Sequence, residues 1–256
     1  MHVWQRAGSV CLLMLAMMVS GGASAASSVL IWPTDPTLEA DQQASAVWLE
    51  NRGDRPVSLQ VRVFSWAQEA FDDQYQNQHD VIGIPQVARI EPGQKQLVRL
   101  TRLGQTPAGT QQAYRIIIDE LPSSAADGAE QGGSAVRFNM RYVIPLFAYG
   151  TGLSGKHDPA RPVAVGSLAR PELAARQVQH DGLHYIELHN SGRLHARLTE
   201  VGIDDGKKPQ VLFEGLMGYV LPGATMRWPI PAAVPRGQEL VMRINGETKA
   251  RRFSLD

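Results

Sequence analysis

The feature that most constrains the fold of this chain is an alternating stretch, Ala135–Tyr149 (AVRFNMRYVIPLFAY). Its apolar face comprises Val136, Phe138, Met140, Tyr142 and Ile144. A period of two predicts a β-strand, and this one exceeds the usual length of about 5–6 residues. At a sheet edge, such a strand would leave backbone groups unpaired and an apolar row exposed, which normally invites aggregation. We therefore hypothesise that the strand is offered to a client protein; the alternative is an ordinary sandwich strand that buries one face.

Short β-type runs separated by turn residues make up most of the remaining chain, with almost no helical periodicity, as in a β-sandwich. In the first half the predicted strands besides Ala135–Tyr149 are Ser28–Trp32, Ser45–Glu50, Val57–Trp66, Gln86–Ile90, Gln96–Arg102 and Ala113–Glu120. In the second half they are Val163–Val165, Gln177–Gln179, His184–His189, Ala196–Ile203, Val211–Phe213, Ala224–Pro229, Glu239–Ile244 and Ala250–Leu255. The pattern predicts two sandwiches, with a polar loop at Ser123–Ser134 and a hinge at Gly150–Lys156.

The N-terminus has the pattern of an export signal. Arg6 precedes the apolar run Val10–Val19, and Ala23-Ser24-Ala25 has the small-x-small form of a cleavage site. We expect cleavage before Ala26, so that residues 1–25 are a signal peptide, 26–150 the first domain and 151–256 the second. The only cysteine, Cys11, lies in this signal, and the mature chain must be stable without disulfides.

Charge and hydropathy narrow the choice of partners. The chain has 25 Lys and Arg against 25 Asp and Glu, whereas a nucleic-acid-binding protein would carry a basic surface. The apolar run of the signal is shorter than the roughly 20 residues of a membrane span, and no later stretch qualifies. We expect a protein partner, with no nucleic acid and no membrane-embedded segment.

The residues that could do chemistry are not assembled into a recognisable site. Four histidines, namely His180, His184, His189 and His195, lie in the second half, but their spacing does not place a ligand set on one strand face. No G-x-S-x-G nucleophile elbow and no Gly-rich phosphate motif occurs. We therefore expect no enzymatic activity, no cofactor and no metal.

Several motifs together resemble the periplasmic chaperones of the chaperone–usher pilus pathway, the PapD-like family. They are, in order, IGIPQVARIEPGQKQLVRL (Ile82–Leu100), YRIIIDELP (Tyr114–Pro122), IPLF (Ile144–Phe147), HNSGRLHARL (His189–Leu198) and GYVLPG (Gly218–Gly223). Each is weak alone, but their order after an export signal is specific. The sequences of Tyr114–Pro122 and of Val63–Trp66 (VFSW) are similar to those of the archaic, Csu-type branch of the family.

The resemblance implies a fold and a mechanism. The fold is two immunoglobulin-like β-sandwich domains in an angled, boomerang-like arrangement. The long strand of the first domain is lent to a pilus subunit, in a one-to-one complex that is passed to an outer-membrane usher, without ATP or metal. By position, the subunit-binding residues are Val136, Phe138, Met140, Tyr142 and Ile144. The location implied is the periplasm, and self-association of the free chaperone is left open.

One departure from the family concerns the charge contact. Classical members hold the C-terminal carboxylate of the subunit with two cations, whose places by alignment are Asp35 and Pro145 here. The candidates for a replacement are Arg115, then Arg89 and Arg141, because an arginine fork pairs with a carboxylate through two hydrogen bonds. Arg99 and Glu120 match a family pair that is regarded as structural and is placed near the domain interface.

Two other classes of function remain as alternatives. A structural pilus or adhesion subunit would have an incomplete sandwich and an N-terminal donor extension, whereas this chain has a full set of predicted strands. A periplasmic hydrolase on a β scaffold would need a nucleophile and a base, and the sequence shows neither together.

Overall fold

In the computed structural model of this chain, the residues described are 29–122, 139–155, 170–204, 206 and 210–255. Every regular element among them is a strand. The strands before residue 150 are β1 (Val29–Trp32), β2 (Thr37–Leu38), β3 (Ala44–Asn51), β4 (Val57–Glu69), β5 (Asp72–Gln76), β6 (Val81–Ile84), β7 (Val87–Ile90), β8 (Lys95–Arg102), β9 (Gln111–Glu120) and β10 (Arg141–Tyr149). Those after it are β11 (Leu173–His180), β12 (Leu183–Asn190), β13 (Ala196–Asp204), β14 (Gln210–Val220), β15 (Thr225–Ile230), β16 (Glu239–Ile244) and β17 (Arg251–Ser254).

The first ten strands form a sandwich of two sheets. One sheet has four strands in the order β1-β3-β8-β6; the other has six, in the order β2-β10-β9-β4-β5, with β7 also paired to β4. Core-facing residues alternate along these strands, as the sequence predicts: Val57, Leu59 and Val61 of β4 are each at most 3% exposed. Their burial between the sheets, at about 25 cal/mol per Å² of apolar surface, is the main stabilising term.

The remaining strands form a second, smaller sandwich. A three-stranded sheet has the order β11-β12-β15, and a four-stranded sheet has the order β14-β13-β16-β17. The predicted all-β class is confirmed. Part of the predicted detail lies outside the described residues, namely the signal peptide, the loop Ser123–Ser134 and the strand Val163–Val165. The domain boundary at residue 150 stays a prediction. Among the described residues, no helix has the length and apolar composition that a membrane crossing requires.

The strands that the sequence failed to predict are short or polar. β2 has only two residues and β6 (Val81–Ile84) only four, which is too short to show alternation. β5 (DDQYQ) is polar and mostly exposed, so it shows no apolar alternation either. Two further predictions were too short, since Gln177–Gln179 lies within β11 and Val211–Phe213 lies within β14. β14 carries register shifts against β13, which break the alternation that a sequence pattern needs.

The two sandwiches share a packed contact. Trp66, Phe147, Tyr149 and Leu153 belong to the same buried cluster as core residues of the second sandwich, such as Leu198. Trp66 and Phe147 point away from the core of the first sandwich, from the outer face of its six-stranded sheet. One part of that outer face is therefore covered by the second sandwich, and the outer face of β10 is covered only towards its C-terminal end.

Candidate functional site

The strand β10 lies near the edge of its sheet, with one side only partly paired. It pairs with β9 over its full length, from Arg141 opposite Asp119 to Tyr149 opposite Gln111. On its other side it pairs with β2 only at Phe147 and Ala148. Among the described residues, the stretch 141–146 therefore has an open edge. An open edge presents N–H and C=O groups to which another strand can be added.

The hydrogen bonds show which backbone groups face that open edge. The N–H of Glu120 donates to the carbonyl of Met140 at 2.9 Å, so even-numbered residues of β10 bond to β9. The N–H of Phe147 donates to Pro36 on the opposite side at 3.4 Å, in agreement with this alternation. Arg141 and Val143 thus direct their backbone groups outward. Pro145 has the same parity, so its missing N–H costs no hydrogen bond to β9.

The side chains of the predicted binding face differ in exposure. Met140 is 44% exposed, Tyr142 packs partly against the core, and Ile144 is 8% exposed within the core. Tyr142 also bonds to the backbone of Val29, and burial is the main cause that raises its pKa. Ile144, although predicted to bind a subunit, therefore packs within its own domain, where a client cannot contact it. Val136 and Phe138 lie outside the described residues.

Arg141 belongs to a charged group on the outer face of the sheet. It pairs with Asp119 on β9, which also accepts from Nη2 of Arg62 on β4 at 2.6 Å. The group borders an open cavity of about 490 Å³ beside Met140. Burial opposes ionisation of Asp119, but hydrogen bonds from Arg141 and Arg62 outweigh it and lower the pKa of Asp119. As an anchor, Arg141 would have to exchange Asp119 for a client carboxylate.

Asp119→Asn is expected to reduce stability by about 1 kcal/mol at neutral pH, since the carboxylate pairs with two arginines. A lowered native pKa contributes stability above the pKa of the unfolded state, and this contribution is lost as the pH falls through the native value. Denaturant unfolding of both proteins between neutral and acidic pH should therefore converge at low pH. Glu91→Gln, which removes an exposed pair with Arg89, is the control. A pH-independent difference would contradict the prediction.

Arg115 occupies the contact between the sandwiches. Its side chain is 10% exposed, and its guanidinium lies 3.5 Å from the ring centre of Trp66 and 5.2 Å from that of Tyr219. Nη2 donates to Oδ2 of Asp73 at 3.2 Å. Nε is buried with no acceptor among the described residues. In the register of β9 and β10, Arg115 lies directly opposite Pro145.

The other predicted polar residues lie elsewhere. Arg89 is on β7, on the far side of β4 and β9 from β10, and pairs with Glu91 at 3.1 Å. Arg99 is exposed on the outer face of the four-stranded sheet. Glu120 is on the other sheet, at the end of β9 opposite to Gln111, which contacts the second sandwich. The structure does not bring Arg99 and Glu120 together, because the alternation of β8 turns Arg99 away from the core.

Two glutamines of the first sandwich form hydrogen bonds with the second sandwich. Gln68 donates to the carbonyl of Tyr219 at 3.0 Å and accepts from the N–H of Leu221 at 2.8 Å. Gln111 accepts from the N–H of His195 at 2.7 Å, and its amide nitrogen lies 2.9 Å from Nδ1 of that ring. Burial lowers the pKa of His195 to about 3, so the ring is neutral, with Nδ1 accepting from Gln111. These bonds hold the two sandwiches in one relative orientation.

The histidine ring is also part of the apolar contact. It stacks on Phe147 at 3.5 Å between ring centres, with an angle of 4°. Asp35 occupies one of the two positions at which classical members of the family carry a cation. It lines a cavity of about 140 Å³ beside His195 and Arg197. Among the described residues, no group of three or more His, Cys, Asp or Glu side chains could hold a metal ion.

The sequence reasoning missed the residues that surround Arg115. Gln68, Asp73 and Tyr219 come from separate strands, and Asp73 is 42 residues from Arg115 in the chain. Only the GYVLPG motif contained one of them, Tyr219, and nothing in its pattern indicated a contact with an arginine.

Comparison with known proteins agrees with this geometry. Residues 28–153 match the family model described as the pili and flagellar-assembly chaperone, PapD N-terminal domain. A solved chaperone–tip adhesin complex of archaic Csu pili, CsuC–CsuE of Acinetobacter baumannii, contains a chain that is 34% identical. The match has a TM-score of 0.73 and covers 90% of this chain and 99% of that one.

Two further comparisons give more distant matches, one to a sequence and one to a solved structure. The chaperone protein FimB/FhaD of Bordetella pertussis is 25% identical over 214 residues, which are 82% of this chain and 83% of that protein. The CupB2 chaperone of Pseudomonas aeruginosa is 16% identical with a TM-score of 0.59, over 89% of this chain and all of that one, and shows the fold alone.

Two immunoglobulin-like sandwiches, joined by a packed contact and carrying an open edge strand, define a class of two-domain pilus-assembly chaperones. This chain belongs to the PapD-like family of the chaperone–usher pathway, in its archaic branch. The predicted family is confirmed, and the alternative of a structural pilus subunit is not supported.

Proposed function

We propose that this protein binds pilus subunits in the periplasm by lending them β10, and delivers them to an outer-membrane usher. The observation that supports the proposal is the open edge of β10 over residues 141–146. The relatives also support subunit binding. One solved complex contains a Csu chaperone with a tip adhesin subunit, and another contains the SafB chaperone with the SafA pilin.

Affinity at such an edge comes from backbone hydrogen bonds, and specificity comes from side chains that fill pockets of the partner. Arg141 and Val143 supply the outward backbone groups, while Met140 presents an exposed apolar side chain towards the client. Burying one side chain of this size contributes roughly 1.5–3 kcal/mol. Val136 and Phe138, on the same predicted face, extend this row in the proposal.

Arg115 is the proposed anchor for the client's C-terminal carboxylate. It lies opposite Pro145, the place at which classical members carry a cation, so the charge is moved by one strand to β9. Its buried Nε without an acceptor leaves one donor of the fork available for a bound carboxylate. Arg141 and Arg89 remain second choices, because their side chains are much more exposed than that of Arg115.

The export and domain predictions are part of the proposal. Cleavage before Ala26 would release a mature chain whose first domain ends near residue 150 and whose second follows it. The free chaperone can be tested for self-association through the open edge by measuring its mass at several concentrations.

The central test is capture of a subunit. The chaperone is co-expressed with its cognate pilus subunit, and the wild type is expected to yield a soluble one-to-one complex. Phe138→Asp combined with Met140→Asp should abolish the complex while circular dichroism shows a folded chaperone, because buried carboxylates cannot be accommodated in an apolar groove. Arg52→Asp, on an exposed turn, serves as the control. Undiminished capture by the double variant would refute the proposal.

Arg115→Gln is expected to weaken subunit binding about tenfold or more, since a hydrogen-bonded charge pair contributes roughly 1.5–3 kcal/mol. Arg115→Lys should recover only part of the loss, because lysine lacks the two-donor fork. Isothermal titration with subunit-derived peptides, as free acid and as C-terminal amide, measures the effect. If Arg115→Gln weakens both peptides equally, the residue does not bind the carboxylate.

A further inference from the structure

The carboxylate of Asp73 sits in a ready-made anion site. Its Oδ1 accepts from Nε2 of Gln68 at 2.9 Å, and its Oδ2 accepts from the hydroxyl of Tyr75 at 3.0 Å and from Nη2 of Arg115 at 3.2 Å. Three donors from three strands thus converge on one carboxylate, an arrangement that would serve a bound carboxylate equally well. Two of these donors, Gln68 on β4 and Arg115 on β9, lie outside β5, whereas Tyr75 is on β5 together with Asp73.

Asp73 is carried by an element with few attachments. β5 pairs only with β4 and forms one edge of the six-stranded sheet. The β4–β5 hairpin has a two-residue turn, Ala70 and Phe71, with φ angles of 50° and 69°. Such turns favour Asn and Gly, and a bulky residue such as Phe in the left-handed region costs roughly 1–2 kcal/mol. The hairpin tip is therefore strained.

The second sandwich holds this strained tip in place. The guanidinium of Arg227 lies 4.2 Å from the ring centre of Phe71 and 5.0 Å from that of Tyr185. Gln68, which donates to Asp73, also bonds to Tyr219 and Leu221. The position of Asp73 is thus linked to the contact between the two sandwiches.

We propose that Asp73 is an internal stand-in for the client's C-terminal carboxylate at Arg115, displaced when the client is anchored. The inference rests on the proposed anchoring role of Arg115. In the free chaperone, Asp73 neutralises an arginine that is nine-tenths buried and would otherwise be unpaired at its Nη2 donor. On binding, the client carboxylate replaces that of Asp73 at Arg115 and Gln68, and Asp73 moves towards solvent with the strained hairpin, which also carries Tyr75. Asp73 thereby sets how tightly a carboxylate must bind to be captured.

The first experiment needs no client. Asp73→Ala vacates the site, and sodium acetate serves as a minimal carboxylate, with sodium chloride at equal ionic strength as the reference. We expect acetate to raise the thermal unfolding midpoint of Asp73→Ala above that in chloride. The wild type, the neighbouring control Asp72→Ala and the double variant Asp73→Ala with Arg115→Gln should show no acetate-specific shift. Absence of the shift in Asp73→Ala would overturn the proposal.

The second experiment uses a synthetic peptide with the last twelve residues of the cognate pilus subunit, as free acid and as C-terminal amide. Asp73→Asn should bind the free acid roughly tenfold more tightly than the wild type does, with little change for the amide, because a charge-assisted competitor has been removed. Asp72→Asn is the matched control. Unchanged or weaker binding of the free acid would overturn the proposal. That failure is distinct from failure of the proposed function, which would appear as full subunit capture by the Phe138→Asp, Met140→Asp variant.

Discussion

Val143→Pro is expected to abolish most subunit capture while leaving the chaperone folded. Val143 points its N–H to the open edge of β10, so a proline there removes a donor that only the client uses. The client carbonyl opposite it would be left without a partner, at a cost of about 2 kcal/mol, or roughly a thirtyfold loss of affinity. The measurement is the affinity of wild type and variant for the cognate pilus subunit, determined by titration.

The parity of the strand provides sharp controls for this variant. Val143→Thr keeps the N–H and should bind as the wild type does. Tyr142→Pro removes a hydrogen bond to β9, and should destabilise the first sandwich itself. The native Pro145 shows that the strand tolerates proline at the outward parity. Equal capture by Val143→Pro and Val143→Thr would show that the client does not pair with this edge.

Phe147→Ala is expected to give the largest loss of stability among the contact residues between the sandwiches. The ring is 2% exposed, stacks on His195, and lies 5.9 Å from Trp66 and 6.2 Å from Tyr219 between ring centres. Its removal leaves a cavity, and such truncations cost about 3–5 kcal/mol. Denaturant unfolding followed by Trp fluorescence measures the loss, and small-angle scattering should show a larger radius of gyration as the sandwiches separate.

A second variant separates this contact from general damage to the fold. Leu97→Ala removes a side chain that is 38% exposed on the outer face of the four-stranded sheet, and should change stability by less than about 0.5 kcal/mol. Gln111→Ala removes two bonds to His195 without touching the ring stack, and should loosen the contact to an intermediate degree. A Phe147→Ala protein with unchanged scattering would show that the orientation of the sandwiches does not depend on this ring.

The local sequence pattern was sufficient to predict the positions of strands that bury one face. β3, β4 and β8 were predicted near their true positions, because burial of one face forces apolar residues to every second place. β5 was missed for the opposite reason, since it is an exposed hairpin strand whose residues carry no such constraint. The function of β5 as the carrier of Asp73 was therefore invisible to the same reasoning.

The candidate site likewise has some features that the sequence predicts and others that only the structure shows. The face that carries Tyr142 and Ile144 of β10, with Met140 just before the strand, could be assigned from the sequence, but the burial of Ile144 in its own domain could not. Arg115 could be chosen as a neighbour of β10, whereas its stacking on Trp66 and its pairing with Asp73 depend on residues from other strands.

The sequence by itself determined the all-β class, the family and the alternation of β10, because these depend on residue order and on a local backbone period. Only the tertiary structure decided that β10 keeps an open edge over residues 141–146, that its outward groups belong to odd-numbered residues, and that Arg115 already holds a carboxylate. These features arise where residues far apart in the chain meet, as with Gln111 and His195, which are 84 residues apart. A local sequence pattern does not predict such long-range contacts, because they depend on the packing of the whole fold.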